Sequence, residues 1–126
     1  MIRLRHLDHF GLHVRDLARA ERFYTEVLGM TVQARFGDQV LLRVNDTVLA
    51  LFEKPELPPP DPAIIQNPLG KGHHAFQVSA EDFEVARRRF REVGIPTHDP
   101  IDWGDHDCLY FLDPDGNLLE LISYRS

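Results

Sequence analysis

The sequence predicts an α+β fold in which two βαβββ modules share a mixed sheet that curls around a cavity. Three observations carry this expectation. The segment His9-Phe-Gly-Leu-His-Val14 is echoed by His73-His-Ala-Phe-Gln-Val78, an offset of 64. Each echo is followed by a helical pattern ending at a glycine, Gly29 and Gly94, which are 65 apart. A proline-rich stretch separates the copies, as expected for an internal repeat joined by an irregular connection.

The elements follow in order. Both echo segments alternate apolar and polar residues, the pattern of a strand with one face on a helix layer. Asp16 is placed to cap a helix presenting Leu17, Ala20, Phe23, Tyr24 and Val27 to the core before Gly29. Ser79 and Asp82 form a capping box ahead of Phe83, Ala86, Phe90 and Val93, with Gly94 as the stop. Three strands follow in the first copy, Met30 to Phe36, Gln39 to Val44 and Thr47 to Phe52. Three more follow in the second, about Ile95 to Asp99, Cys108 to Leu112 and Asn117 to Ser123. Asn45-Asp46 and Asp113-Pro-Asp-Gly116 carry the residue types that tolerate tight reversals. The whole chain thus reads as one domain, with modules 5–53 and 72–124 joined by the connection 54–71, whose prolines disfavour regular structure.

Composition narrows the function classes. A chain of 126 residues buries one modest core and excludes a large multidomain enzyme. Its net charge of -6 is uneven: residues 1–60 hold eight basic and eight acidic side chains, residues 61–126 six and twelve. Asp99, Asp102, Asp105, Asp107, Asp113 and Asp115 have no Lys or Arg among them, which disfavours a nucleic-acid partner. The lone cysteine, Cys108, makes no internal disulfide, and no basic leader or run of about 20 apolar residues is present. The expectation is a cytoplasmic protein without a membrane partner.

Strand parity selects the side chains that share the cavity, because residues two apart face the same way. His9, Gly11 and His13 face inward while Phe10, Leu12 and Val14 pack on the helix; His73, Ala75 and Gln77 are their counterparts. The last hairpin sets Leu112 opposite Leu118 and Tyr110 opposite Glu120 on one face. Glu120 lies in the otherwise apolar run Leu118-Leu-Glu-Leu-Ile122, where a carboxylate needs a cation, donors or water. Two imidazoles and one carboxylate, His9, His73 and Glu120, form the ligand set that suits Fe(II), Mn(II), Ni(II) or Zn(II). The cavity is then metal-centred; a polar cavity or an interface network is the alternative use of the same residues.

At these residues the chain resembles the vicinal oxygen chelate superfamily, which includes glyoxalase I, extradiol dioxygenases, fosfomycin resistance enzymes and bleomycin resistance proteins. The resemblance rests on Leu7-Asp-His-Phe-Gly-Leu-His-Val14, Phe23-Tyr24, Leu28-Gly29-Met30, Gly72-His-His-Ala-Phe-Gln-Val78 and Leu109-Tyr-Phe-Leu-Asp-Pro-Asp-Gly-Asn-Leu-Leu-Glu-Leu121. It implies metal ligands at His9, His73 and Glu120, a divalent-metal cofactor, a small-molecule substrate with neighbouring oxygens, and a homodimer.

Within the superfamily the residues rank the activities. Glyoxalase I enzymes carry a fourth ligand at the position of Ala50, which cannot ligate, and Glu53 has the opposite parity. Extradiol dioxygenases keep three ligands and place a catalytic tyrosine where Tyr110 stands. Trp103 replaces a histidine those enzymes carry, and no histidine lies between His13 and His73, which leaves His13 as the candidate acid/base. Fosfomycin resistance enzymes are similar in length, but a phosphonate needs cations, and none occurs between Arg91 and Arg125; Arg35, Arg43 and Lys71 remain. Bleomycin-binding members need no metal and would use aromatics such as Trp103, Tyr110 and Phe52. Ring-cleaving dioxygenase is the leading expectation. Thiol or water addition, glyoxalase-type isomerisation and metal-free ligand binding are the alternatives.

Overall fold

A computed structural model describes residues 1–125, which divide into two compact units, one spanning Met1–Pro58 and the other beginning at Pro59. In the first, β1 (His9–Val14) leads to α1 (Leu17–Arg22), then β2 (Thr31–Phe36), β3 (Gln39–Val44) and β4 (Thr47–Glu53). Asp16 caps α1 by accepting the Arg19 N–H at 3.1 Å. The expected helix runs on past Arg22 as one π-helical turn, Phe23–Val27, in which the Leu28 N–H reaches the Phe23 carbonyl five residues back. The sheet order is β1-β4-β3-β2, with β1 parallel to β4 and the rest antiparallel. Val14, Ala20, Tyr24, Leu42, Leu49 and Leu51 are fully buried. Along β1 the alternation holds: Phe10, Leu12 and Val14 are the covered residues, and His9, Gly11 and His13 are exposed.

The second unit opens with a short helix, α2 (Ala63–Gln66), in the stretch where the prolines predict no regular element. Asp61 explains it, since its carboxylate accepts the Ala63 N–H at 3.0 Å and Pro62, already fixed near helical φ, precedes the first turn. Next come β5 (His74–Gln77), α3 (Ala80–Val93), β6 (Ile101–Asp102), β7 (His106–Leu112) and β8 (Leu118–Tyr124). Ser79 caps α3 by accepting the Asp82 N–H at 3.1 Å, and Gly94 ends it in the left-handed conformation. The strand expected over 95–99 is reduced to a single bridge, Thr97 with Phe111, and β6 lies beyond it. Pro96 and Pro100 bracket that segment, and each lacks the N–H a ladder requires.

The sheet order β5-β8-β7-β6 repeats that of the first unit. Its back face packs on α3, where the Phe90 and Phe111 rings meet at 4.7 Å between centroids. Its front face carries a buried cluster of Ile65, Cys108, Tyr110, Leu112 and Leu118. The β7–β8 turn is held by Asp113, 3 % exposed, whose carboxylate accepts the N–H groups of Asp115 and Asn117 and the Asn117 side-chain amide at 2.8–2.9 Å. Gly116 is required there twice over: its φ is +85°, and a Cβ would lie 2.9 Å from the Pro60 Cβ.

One expectation is overturned. The strands form two separate four-stranded sheets, not one curled mixed sheet around a metal-centred cavity. Among the described residues no group of three or more His, Cys, Asp or Glu side chains is arranged to hold a metal ion. The reason is local pairing: each module's first strand bonds in parallel to its own last strand, so the ladder closes within the module. No helix among the described residues is long and apolar enough to cross a membrane.

Candidate functional site

The polar side chains of interest converge on the front face of the second unit's sheet. Glu120, central in β8, is flanked in register by Ala75 of β5 and Tyr110 of β7. His73 directly precedes β5, and its Nε2 lies 3.0 Å from Glu120 Oε1. The other ring nitrogen, Nδ1, lies 2.8 Å from the Lys71 carbonyl, to which it donates, so the ring's orientation is fixed. With Nδ1–H spent on a carbonyl, the contact between Nε2 and a carboxyl oxygen must itself contain a proton. The Glu120 side chain is only 9 % exposed, and this contact supplies the donor that the apolar strand around it lacks.

Tyr110 and Cys108 complete the surroundings. The Tyr110 ring stands edge-on to His73, with centroids 5.2 Å apart. Burial, reinforced by the Glu120 charge, pushes the Tyr110 phenol above its ordinary value, so it stays a neutral O–H donor through the physiological range. Cys108 is fully buried and accepts the Trp103 indole N–H at 3.3 Å. Burial raises its thiol pKa; the Trp103 N–H is the largest opposing effect, and the neighbouring Glu120 adds to the rise. Behind the pair, His74 is held below the usual histidine value by burial first and by its neighbour His73 second.

Of the residues assigned from sequence, the structure thus brings together His73, Glu120 and Tyr110. His9 and His13 lie on β1 of the first unit. His9 Nδ1 pairs with the Asp8 carboxylate at 2.8 Å, a hydrogen bond that holds the Asp8 carboxyl below its ordinary value. His13 is in register with Phe52 of β4. The first unit's counterpart of the Ala75, Glu120, Tyr110 row is Gly11, Ala50, Leu41, which carries no ligating group. Sequence reasoning missed Cys108 as a site residue. The signal was available, because Cys108 lies two residues before Tyr110 on the same strand face.

The phosphonate clamps considered from sequence are all engaged elsewhere. Arg35 forks onto Glu21 at 2.8 and 2.9 Å, Arg43 onto Gln33, and Lys71 Nζ onto the Asn67 carbonyl. The donor set of His73 and Glu120 fits a borderline divalent cation in its chemistry: an oriented imidazole nitrogen and a carboxylate now joined through a proton. In number it falls short, since the second unit gathers two such ligands.

The two βαβββ units repeat one strand order, β1-β4-β3-β2 and β5-β8-β7-β6, and the second carries His73 before its first strand and Glu120 in its last. The chain belongs to the Glyoxalase/Bleomycin resistance protein/Dioxygenase superfamily, whose family model matches residues 6–121. It is 34% identical over 120 residues to the glutathione transferase FosA of Serratia marcescens, covering 94% of this chain and 80% of that one. It is 32% identical over 120 residues to biphenyl-2,3-diol 1,2-dioxygenase 3 of Rhodococcus globerulus, covering 91% of this chain but 61% of that longer protein. The crystal structure of a glyoxalase/dioxygenase from Nostoc punctiforme superposes with a TM-score of 0.80 at 28% identity, covering 97% of this chain and 92% of that one.

Proposed function

We propose that this chain is a divalent-metal-dependent enzyme acting on a small substrate with two neighbouring oxygens, and that its chemistry is of the ring-cleaving dioxygenase type. The observation that carries the reading is the 3.0 Å pair of His73 and Glu120 with Tyr110 across the ladder from Glu120. His73 and Glu120 would hold the metal. The metal would supply Lewis acidity toward the two substrate oxygens.

The protein's own groups do the rest. The Lys71 carbonyl fixes the His73 ring, and the apolar neighbours of Glu120 keep water from its carboxylate. Tyr110, kept protonated by burial, donates its O–H to an oxygen of the reacting group. The absence of an available cation at Arg35, Arg43 and Lys71 favours a substrate with an uncharged body, such as an aromatic diol, over a phosphonate. A homodimer is the proposed assembly.

Similarity to a glutathione transferase favours a second reading, addition of a thiol to a small electrophile. One experiment separates them: protein reconstituted in turn with Fe(II), Mn(II), Ni(II) and Zn(II) is assayed for oxygen uptake with catechols and for glutathione consumption with epoxides. Oxygen uptake with Fe(II), lost in His73→Ala, is the expected result. Glutathione consumption without oxygen uptake would replace it with the second reading, and activity unaffected by metal or by His73→Ala would sink both.

A further inference from the structure

The second unit has a cavity on the other side of its sheet from Glu120. The left-handed Gly94 turns the chain back at the end of α3, and the Ile95 N–H closes on the Phe90 carbonyl at 2.9 Å. The following segment tracks β7 and not the helix: the His98 N–H donates to the Tyr110 carbonyl at 3.0 Å, and the Leu112 N–H to the Pro96 carbonyl at 3.1 Å. Between that segment and the last two turns of α3 remains a cavity of about 370 Å³.

Its lining is two-sided in chemistry. Phe90, Ile95 and Leu109 supply an apolar wall, with Leu109 on the sheet face opposite to Tyr110 and Glu120. Arg87 and Arg91 supply two guanidinium groups one helical turn apart. Arg87 spends part of its fork on Glu84, at 3.2 and 3.3 Å, and Arg91 has no ion pair among the described residues. His98 donates Nδ1–H to the Asp99 carbonyl, so Nε2 is its remaining polar atom, and Asp99 offsets one of the positive charges. A net positive lining is notable in a half with six basic and twelve acidic side chains. Two like charges at that spacing repel, and an anion seated between them relieves the repulsion.

We infer that this cavity binds a small amphipathic carboxylate, its apolar body on Phe90, Ile95 and Leu109 and its carboxylate on Arg91 and Arg87. The volume stands near the lower end of ligand pockets, roughly 300 Å³, which suits a single ring and excludes a nucleotide. The site is independent of the His73 and Glu120 chemistry.

Benzoate, benzyl alcohol and inorganic phosphate, titrated separately into the full chain by calorimetry and by amide NMR, test this. Benzoate should saturate one site and shift the amides of Phe90, Ile95 and Leu109. Arg91→Gln should weaken it about tenfold, the loss of one charge-assisted hydrogen bond, with Arg87→Gln as a second variant and His73→Ala without effect. Benzyl alcohol and phosphate should each bind about tenfold more weakly than benzoate, lacking the charge or the ring. Benzoate affinity unchanged from wild type in both arginine variants, phosphate binding as tightly as benzoate, or shifts confined to the Glu120 face would overturn the inference.

Discussion

Tyr110 lies directly across the β7–β8 ladder from Glu120, and its ring meets His73 edge-on at 5.2 Å. The phenol therefore stands beside both groups of the proposed metal pair without bonding either ring nitrogen of His73, which are taken by Lys71 and Glu120.

Removing that hydroxyl should separate chemistry from binding. Tyr110→Phe keeps the ring packed and leaves His73 and Glu120 paired, so metal affinity and melting temperature should stay near wild type. On the proposed mechanism kcat should fall about a hundredfold, the scale of losing one positioned donor. Stopped-flow turnover with calorimetric metal titration checks both halves; an unchanged kcat would remove Tyr110 from the chemistry.

Asp113 is the strongest structural bet outside the site. Its carboxylate satisfies three donors of the β7–β8 turn while 3 % exposed. Asp113→Ala leaves the Asp115 and Asn117 N–H groups without that acceptor and should cost about 3 kcal/mol, measured by urea unfolding. Because this turn sets Tyr110 against Glu120, the amide signals of both residues should shift in the variant.

Acid stability should report on the first unit. The Arg35 fork holds the Glu21 carboxyl below its ordinary value of 4.5. A lowered pKa in the folded state contributes stability that is fully present above the unfolded value and is lost as pH falls through the folded one. Wild type should therefore lose more stability than Arg35→Gln between about pH 6 and about pH 3. Parallel urea titrations of the two proteins would show it, and identical losses would mean the pair is screened to nothing.

Much of this was legible in the chain because it is enforced locally. Asp16, Ser79 and Gly94 act within a few residues of themselves, and the structure places all three at helix ends as their chemistry dictates. The pairing of Leu112 with Leu118 and Tyr110 with Glu120 follows from the Asp113 to Gly116 turn and the two-residue strand period. The strand expected over 95–99 failed at its prolines, and the helix α2 hidden in a proline-rich stretch was started by Asp61. The cavity beside Arg87 and Arg91 has no sequence signal at all, since it exists only because the chain after Gly94 follows β7 away from α3.

By itself, then, the sequence determined the repeat, the parity of each strand and the choice of Glu120 as a carboxylate in need of a partner. Only the tertiary structure decided that the partner is His73, that Cys108 and Trp103 crowd the same face, and that the strands close into two sheets. The physical reason is range. Caps, turns and alternation are set by neighbours along the chain, whereas the His73 to Glu120 contact spans 47 residues and forms only when β5 returns to lie in parallel beside β8.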